Sequence, residues 1–304
     1  MKRPVITALI LILTFSYDSF PQVTAGNDTT PINRKILYSA ILTETAFYTG
    51  GMSYLQFVWY KDHDRVPFEF YNDNKGYLQV DKFGHVFGSY IESYIGYHWL
   101  RAAGVKRNQA LLFGGTLGFI LQAPIEIWDG MYEGWGFSWG DIIANTVGSA
   151  FVIGQELVFK EQLIKYKLTY WESPYAEMAN GYLGTTTLNR FFYDYNGHSY
   201  WLSMPVKKII PVSVIPDWLN LAVGYSANGM FGEFKNIGYY HGVWIPETER
   251  YRQFLLSLDI DWTRIKTRSR FLKTVLNAMT FIKLPFAAIE INTLGRIKGY
   301  WMYY

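Results

Sequence analysis

Three strings set the architecture of this chain: Asp81-Lys82-Phe83-Gly84-His85, Glu126-Ile127-Trp128-Asp129-Gly130, and GWGFSWGDIIANTVG over 134–148. In each, polar residues recur three or four positions apart inside apolar sequence: Asp81 with His85, Glu126 with Asp129, Asp141 with Asn145. That spacing puts both members of a pair on one helix face. Charged groups amid apolar sequence need compensation for the cost of burial. The segment therefore predicts packed helices that share an internal polar cluster.

Working outward, apolar residues at helical spacing predict a helix over 35–60, with Gly50-Gly51 in its middle either kinking it or letting another helix approach closely. Asp81 starts a second helix to about Ala103, closed by Gly104, and Asn108 caps a third that runs to Ile120 or Pro124. Ser138 is the expected N-cap of a fourth helix from Trp139 to about Phe159, with Asp141 in its first turn, where the helix dipole favours an anion. Small residues such as Gly88, Gly118 and Gly148 suit close helix contact, in lipid as well as in water. The apolar runs of about 14–20 residues are marginal for crossing a bilayer, so a bundle in or at a membrane stays open.

Beyond Lys167 the pattern changes to strands. Arg190–Tyr195 and Ser199–Met204 flank Asn196-Gly197, which predicts a hairpin with a type I′ turn. Further strands are expected at Trp218–Tyr225, Arg252–Ile265, Phe286–Asn292 and Arg296–Tyr304, with a short amphipathic helix over Arg270–Lys283. Leu256, Leu258, Ile260 and Trp262 alternate with Ser257, Asp259, Asp261 and Thr263, the signature of a strand with one wet side. The fold class is thus α+β: a bundle of about four helices over 35–167, then an antiparallel aromatic β-rich part over 168–304.

Composition narrows the function classes. Half of the 304 residues are apolar and 19% aromatic, while 17% are charged, against about 25% charged in soluble domains. This favours contact with lipid or extensive burial. A net charge of +3 leaves no nucleic-acid footprint. Arg264, Lys266, Arg268, Arg270 and Lys273 read as a solvated or headgroup-facing edge. There is no cysteine, which excludes disulfides, thiolate metal sites, a cysteine nucleophile and a lipidated cysteine. Lys2 and Arg3 before the apolar run Val5–Phe15 read as an export signal over 1–25, with cleavage near Val23-Thr24-Ala25.

The candidate site comprises His85, Asp81, Glu126, Asp129 and Asp141, with Lys82, Ser138, Asn145 and Gly148 as its structural surround. Several carboxylates and one imidazole suit a general acid–base pair or a divalent cation. They equally suit a buried hydrogen-bond network that only fixes the bundle. No cofactor is required by any motif, and the metal question stays open.

The three strings together resemble the YfiM-like family of predicted periplasmic lipoproteins, a bacterial domain of unknown function. They are more distantly similar to the membrane-embedded VanZ-like proteins tied to glycopeptide resistance. The resemblance spans about residues 80–160 and falls on Asp81, Lys82, His85, Glu126, Asp129, Ser138, Asp141, Asn145 and Gly148. Ile125 stands where the family usually has Lys before the Glu, and the lipobox cysteine is missing. The aromatic second half resembles extensions of Bacteroidetes-type members, and the ending Gly299–Tyr304 resembles a closing outer-membrane strand. About six strands can be counted, fewer than the eight of the smallest barrels.

Three functions remain open at this level. The favoured one is a non-enzymatic scaffold or binding component of the cell envelope, in the outer membrane or periplasm, with membrane lipid or other envelope proteins as partners. The second is a membrane-associated hydrolase or transferase acting on a lipid or cell-wall precursor, with His85 as general base. The third is a small outer-membrane barrel or transport accessory.

Overall fold

The computed structural model describes residue 28 and residues 31–304. The expected export signal at 1–25 lies outside the described residues. These divide into two compact units: one built from the residues up to Asn74 with Gly84–Gln162, the other from Lys75–Phe83 with Leu163–Tyr304. The fold class is α+β, as the sequence predicts.

The first unit is helical. Helix α1 (Arg34–Tyr54) is capped by Asn33, whose side chain accepts from the N–H groups of Lys35 and Ile36, and it runs into a π-helical turn at Leu55–Trp59. Helix α2 (Val80–Ala102) carries Asp81 in its first turn and is followed by Gly104 in the left-handed region, φ +82. The expected third helix is two: α3 (Arg107–Phe113) and α4 (Leu117–Asp129). Asn108 is not its cap, because Lys106 holds that position without a side-chain bond. The break falls at Gly114 and Gly115, where backbone freedom is greatest. Helix α5 (Trp139–Phe159) begins as expected, with Ser138 Oγ accepting from Asp141 N–H.

Two glycines set the helix spacing. A Cβ on Gly118 of α4 would lie 2.0 Å from the Ser89 carbonyl oxygen of α2, and one on Gly148 of α5 would lie 2.4 Å from that of Val86. Segments Arg107–Asp129 and Trp139–Phe159 are long and apolar enough to cross a membrane by length and composition. Leu112, Phe113, Ile120, Ile143, Val147 and Val158 on them are exposed.

The second unit is a six-stranded antiparallel sheet in the order β1-β2-β3-β6-β7-β8. Its strands are β1 (Lys165–Tyr170), β2 (His198–Pro205), β3 (Leu219–Asn228), β6 (Tyr251–Ile260), β7 (Phe286–Asn292) and β8 (Ile297–Tyr303). A separate two-stranded ribbon, β4 (Tyr239–Tyr240) and β5 (Val243–Trp244), lies within the expected long loop. Short helices α6 (Pro174–Met178), α7 (Thr187–Tyr193), α8 (Val206–Ile209) and α9 (Arg270–Ala278) fill connections. The sheet curls: Tyr303 of β8 reaches Ser199 of β2 at 3.2 Å and packs edge-on to Trp201, and with Ala222, Leu255 and Ala288 these rings form the unit's core.

Two strand expectations are corrected. The 190–204 hairpin does not form. Residues 187–193 are helix α7, with Thr186 as its cap accepting from Asn189 N–H. The Asn196 amide is drawn inward to the Met230 backbone and the Asp194 carboxylate, so Asn196-Gly197 closes no two-residue turn. Strand β2 pairs instead with β1 and β3. Second, the wet side expected for β6 is its buried one: Gln253, Ser257 and Asp259 face inward while Phe254, Leu256 and Leu258 are exposed. Trp262 leaves the strand altogether for a 3-10 turn.

Candidate functional site

The helices of the first unit carry their polar residues toward one another because the intervening positions are small or apolar. Ser89 and Ser93 on α2 and Ser149 on α5 form a continuous hydroxyl chain, with Ser89–Ser149 at 3.0 Å and Ser93–Ser149 at 2.8 Å. Ser89 Oγ also donates to the Asn145 carbonyl at 2.5 Å. At the first turn of α4, Gly118 N–H donates to Ser93 and Phe119 N–H to Ser149. Backbone donors without intrahelical partners are thus satisfied by hydroxyls of two other helices. This seam fixes the relative height of α2, α4 and α5.

One turn before Ser89, the seam opens onto His85. Its Nδ1 lies 3.5 Å from Glu126 Oε1 and 3.3 Å from Asn145 Oδ1, and its Nε2 lies 3.5 Å from Asp141 Oδ1. The two carboxylate side chains are 1% and 5% exposed, the imidazole 23%. Asn145 is wholly buried, and its Nδ2 has no hydrogen-bond partner among the described residues. Helix α5 therefore contributes Asp141 and Asn145 from one face, α4 contributes Glu126, and α2 contributes the ring between them.

The other expected residues are placed as follows. Asp129, at the end of α4, accepts a 2.5 Å hydrogen bond from the buried Tyr60 hydroxyl. Burial and that carboxylate push the Tyr60 phenol far above its ordinary range. Tyr60 stacks on Tyr132 at 4.2 Å and meets Trp135 edge-on, so the anion is walled by rings. Ser138 caps α5 and donates to Asp73 at 2.6 Å. Gly148 supplies close approach and no polar group. Asp81 lies one turn before His85 in the sequence of α2 and belongs to the sheet unit. In the sheet unit, Asp81 accepts from Tyr195 at 2.9 Å and pairs with Lys82 at 3.0 Å.

Two ring nitrogens flanked by carboxylates allow two kinds of chemistry. A doubly protonated ring donates toward both carboxylates and neutralises part of their charge. A neutral ring with flanking oxygens has the donor types of a divalent-cation site, with His85, Glu126 and Asp141 as the donors of the helical unit. Sequence reasoning missed Tyr60 and the serine seam. Their signal is present in part, since Ser89 and Ser93 lie one turn apart on the same face as His85. A deeper pair was missed as well: Glu156 of α5 accepts from Tyr97 at 2.9 Å and from Gln162 at 3.0 Å.

A helical segment in which an imidazole of one helix faces acidic side chains of two others is the class this geometry defines. Residues 69–155 match the model of the family described as predicted periplasmic lipoprotein (DUF2279). The match runs from before α2 through most of α5 and includes every candidate residue named above, while leaving the sheet unmatched. The chain has no cysteine, so the lipoprotein part of that description is not carried over. No curated protein and no solved structure matches the chain.

Proposed function

We propose that this chain is an exported envelope protein, associated with the outer membrane or its periplasmic face. In this reading it is a non-enzymatic scaffold or binding component, and the His85 cluster is a clamp that fixes the helical unit. The family match over 69–155 supports the exported, periplasmic part. The observation that carries the clamp is that both nitrogens of His85 face carboxylates, at 3.5 Å each. A general base needs a nitrogen whose lone pair is aimed at substrate. Here Nδ1 is engaged by the Asn145 amide oxygen with Glu126 beside it, and Nε2 faces Asp141.

The rival is a hydrolase or transferase on a lipid or cell-wall precursor. One observation favours it: the imidazole is more exposed than either carboxylate, so a ligand has access to the ring. Thermal unfolding of the full chain separates the readings. The clamp predicts that His85→Gln and Asp141→Asn each lower Tm. A reactive site predicts an unchanged or raised Tm, because catalytic groups are commonly held at a cost to stability.

A further inference from the structure

The sheet is built inside out. Leu202, Val223, Leu256 and Ile289 stand directly opposite one another on four successive strands, all on the outward face and 40–52% exposed. A parallel row continues it with Phe254, Ile291 and Ile297, also exposed. The inward face carries, beside the core of Trp201, Leu255 and Tyr303, polar residues bonded to one another: Ser203 with Asp259 at 2.6 Å, Asn220 with Ser203 at 2.9 Å, Gln253 with Glu290 at 2.7 Å, Tyr300 with Glu290 at 2.6 Å. In water this alternation is reversed. Apolar-out and polar-in is the arrangement of sheets bathed by hydrocarbon. The outward rows are aliphatic and aromatic, without the polar donors and acceptors that a protein interface uses.

Charge separates the two ends of the sheet. The connections 206–218 and 261–285 meet at one end and carry eight Lys/Arg against two Asp, of which Lys283 and Asp261 are buried. The connections 171–197, 229–250 and 293–296 at the other end carry four Lys/Arg against six Asp/Glu. At the basic end, Val212 and Val214 of the first connection and Phe271 and Leu272 of α9 are exposed. An apolar belt bordered by cations and exposed apolar tips complements a layer of anionic headgroups over acyl chains.

We propose that the outward face of this sheet is a lipid-contact surface, with its belt in the acyl layer of an anionic phospholipid membrane and its basic end at the headgroups. The proposal rests on the envelope reading and is independent of the His85 clamp.

The absence of cysteine makes the test clean. Full-length Leu256→Cys and Ile289→Cys, labelled with an environment-sensitive dye, are mixed with vesicles of phosphatidylglycerol and phosphatidylethanolamine. Labelled Glu247→Cys, at the other end of the sheet, is the reference. Emission from 256 and 289 is expected to shift to the blue and be quenched by brominated acyl chains, with 247 unaffected. Binding is expected to fall by at least about tenfold in pure phosphatidylcholine, or when Arg264, Lys266, Arg268 and Arg270 are all replaced by Glu. Labels at 256 and 289 that stay as wet as 247 overturn the proposal. So does a blue shift without vesicles in a chain that sediments as a dimer, which assigns the face to a second copy. Equal binding to neutral and anionic vesicles overturns the headgroup assignment. All labels sit on chains with His85 intact, so failure here leaves the clamp standing.

Discussion

Lys167 Nζ lies 2.7 Å from Asp259 Oδ2, and both side chains are sealed from solvent, at 0% and 2% exposure. The pair joins β1 to β6 across the interior of the sheet unit. Lys167 also donates to the Ile260 carbonyl, and Asp259 also accepts from Ser203. Removing one member leaves a buried charge without its counterion, a loss of about 3–5 kcal/mol. Asp259→Ala is therefore expected to lower the urea midpoint sharply, and Lys167→Met with Asp259→Leu to recover most of the loss. A double variant no better than Asp259→Ala contradicts the assignment of the cost to the orphaned charge.

Helix spacing in the first unit depends on absent side chains. A methyl on Gly118 or Gly148 meets backbone oxygens, which cannot rotate away. Gly118→Ala and Gly148→Ala are each expected to cost roughly 1–3 kcal/mol by overpacking. Gly154→Ala, where a Cβ meets nothing within 4 Å, is expected to stabilise slightly through helix propensity. Chemical denaturation of the three variants checks the ranking, and equal effects at all three positions go against close packing as the reason for the glycines.

The sheet unit carries a pH-sensitive histidine. His198 bonds the Tyr200 hydroxyl at 3.0 Å and the Phe191 carbonyl at 2.8 Å, and burial depresses it from 6.5 to about 4. A depressed base is neutral in the fold while the unfolded chain takes up a proton. Its stabilisation is therefore complete above about pH 6.5 and is lost as pH falls toward 4. At about 1.4 kcal/mol per unit, the loss is of the order of 3 kcal/mol by pH 4. An NMR titration of the His198 ring checks this, and a midpoint near 6.5 removes the effect.

Much of this was legible in the residues. Helices α2 and α5, the Ser138 cap and strand β7 follow from periodicity and capping chemistry, which are local. The hairpin expectation failed for a tertiary reason: Asn196 is held by Asp194 and Met230, a contact that no turn signal encodes. The inverted face of β6 was visible as alternation, but alternation leaves open which side is wet, and the bonded partners of Asp259 lie on other strands. At the site, turn spacing puts Asp141 and Asn145 on one face of α5, but that His85 meets Glu126 and Asp141 depends on how three helices pack, which spacing within a helix does not encode. Asp129 was grouped with them by the same rule, yet it is engaged by Tyr60, 69 residues earlier in the chain.

The central claim is that His85 holds α2, α4 and α5 together through Glu126 and Asp141. A double-mutant cycle on the full chain, with His85→Gln, Asp141→Asn and the pair, reads that coupling in stability. The clamp predicts that each single change lowers the unfolding free energy by about 1–3 kcal/mol and that the pair loses clearly less than the sum, because the groups share one interaction. Single variants that unfold at or above the parent temperature, with additive effects in the pair, contradict it.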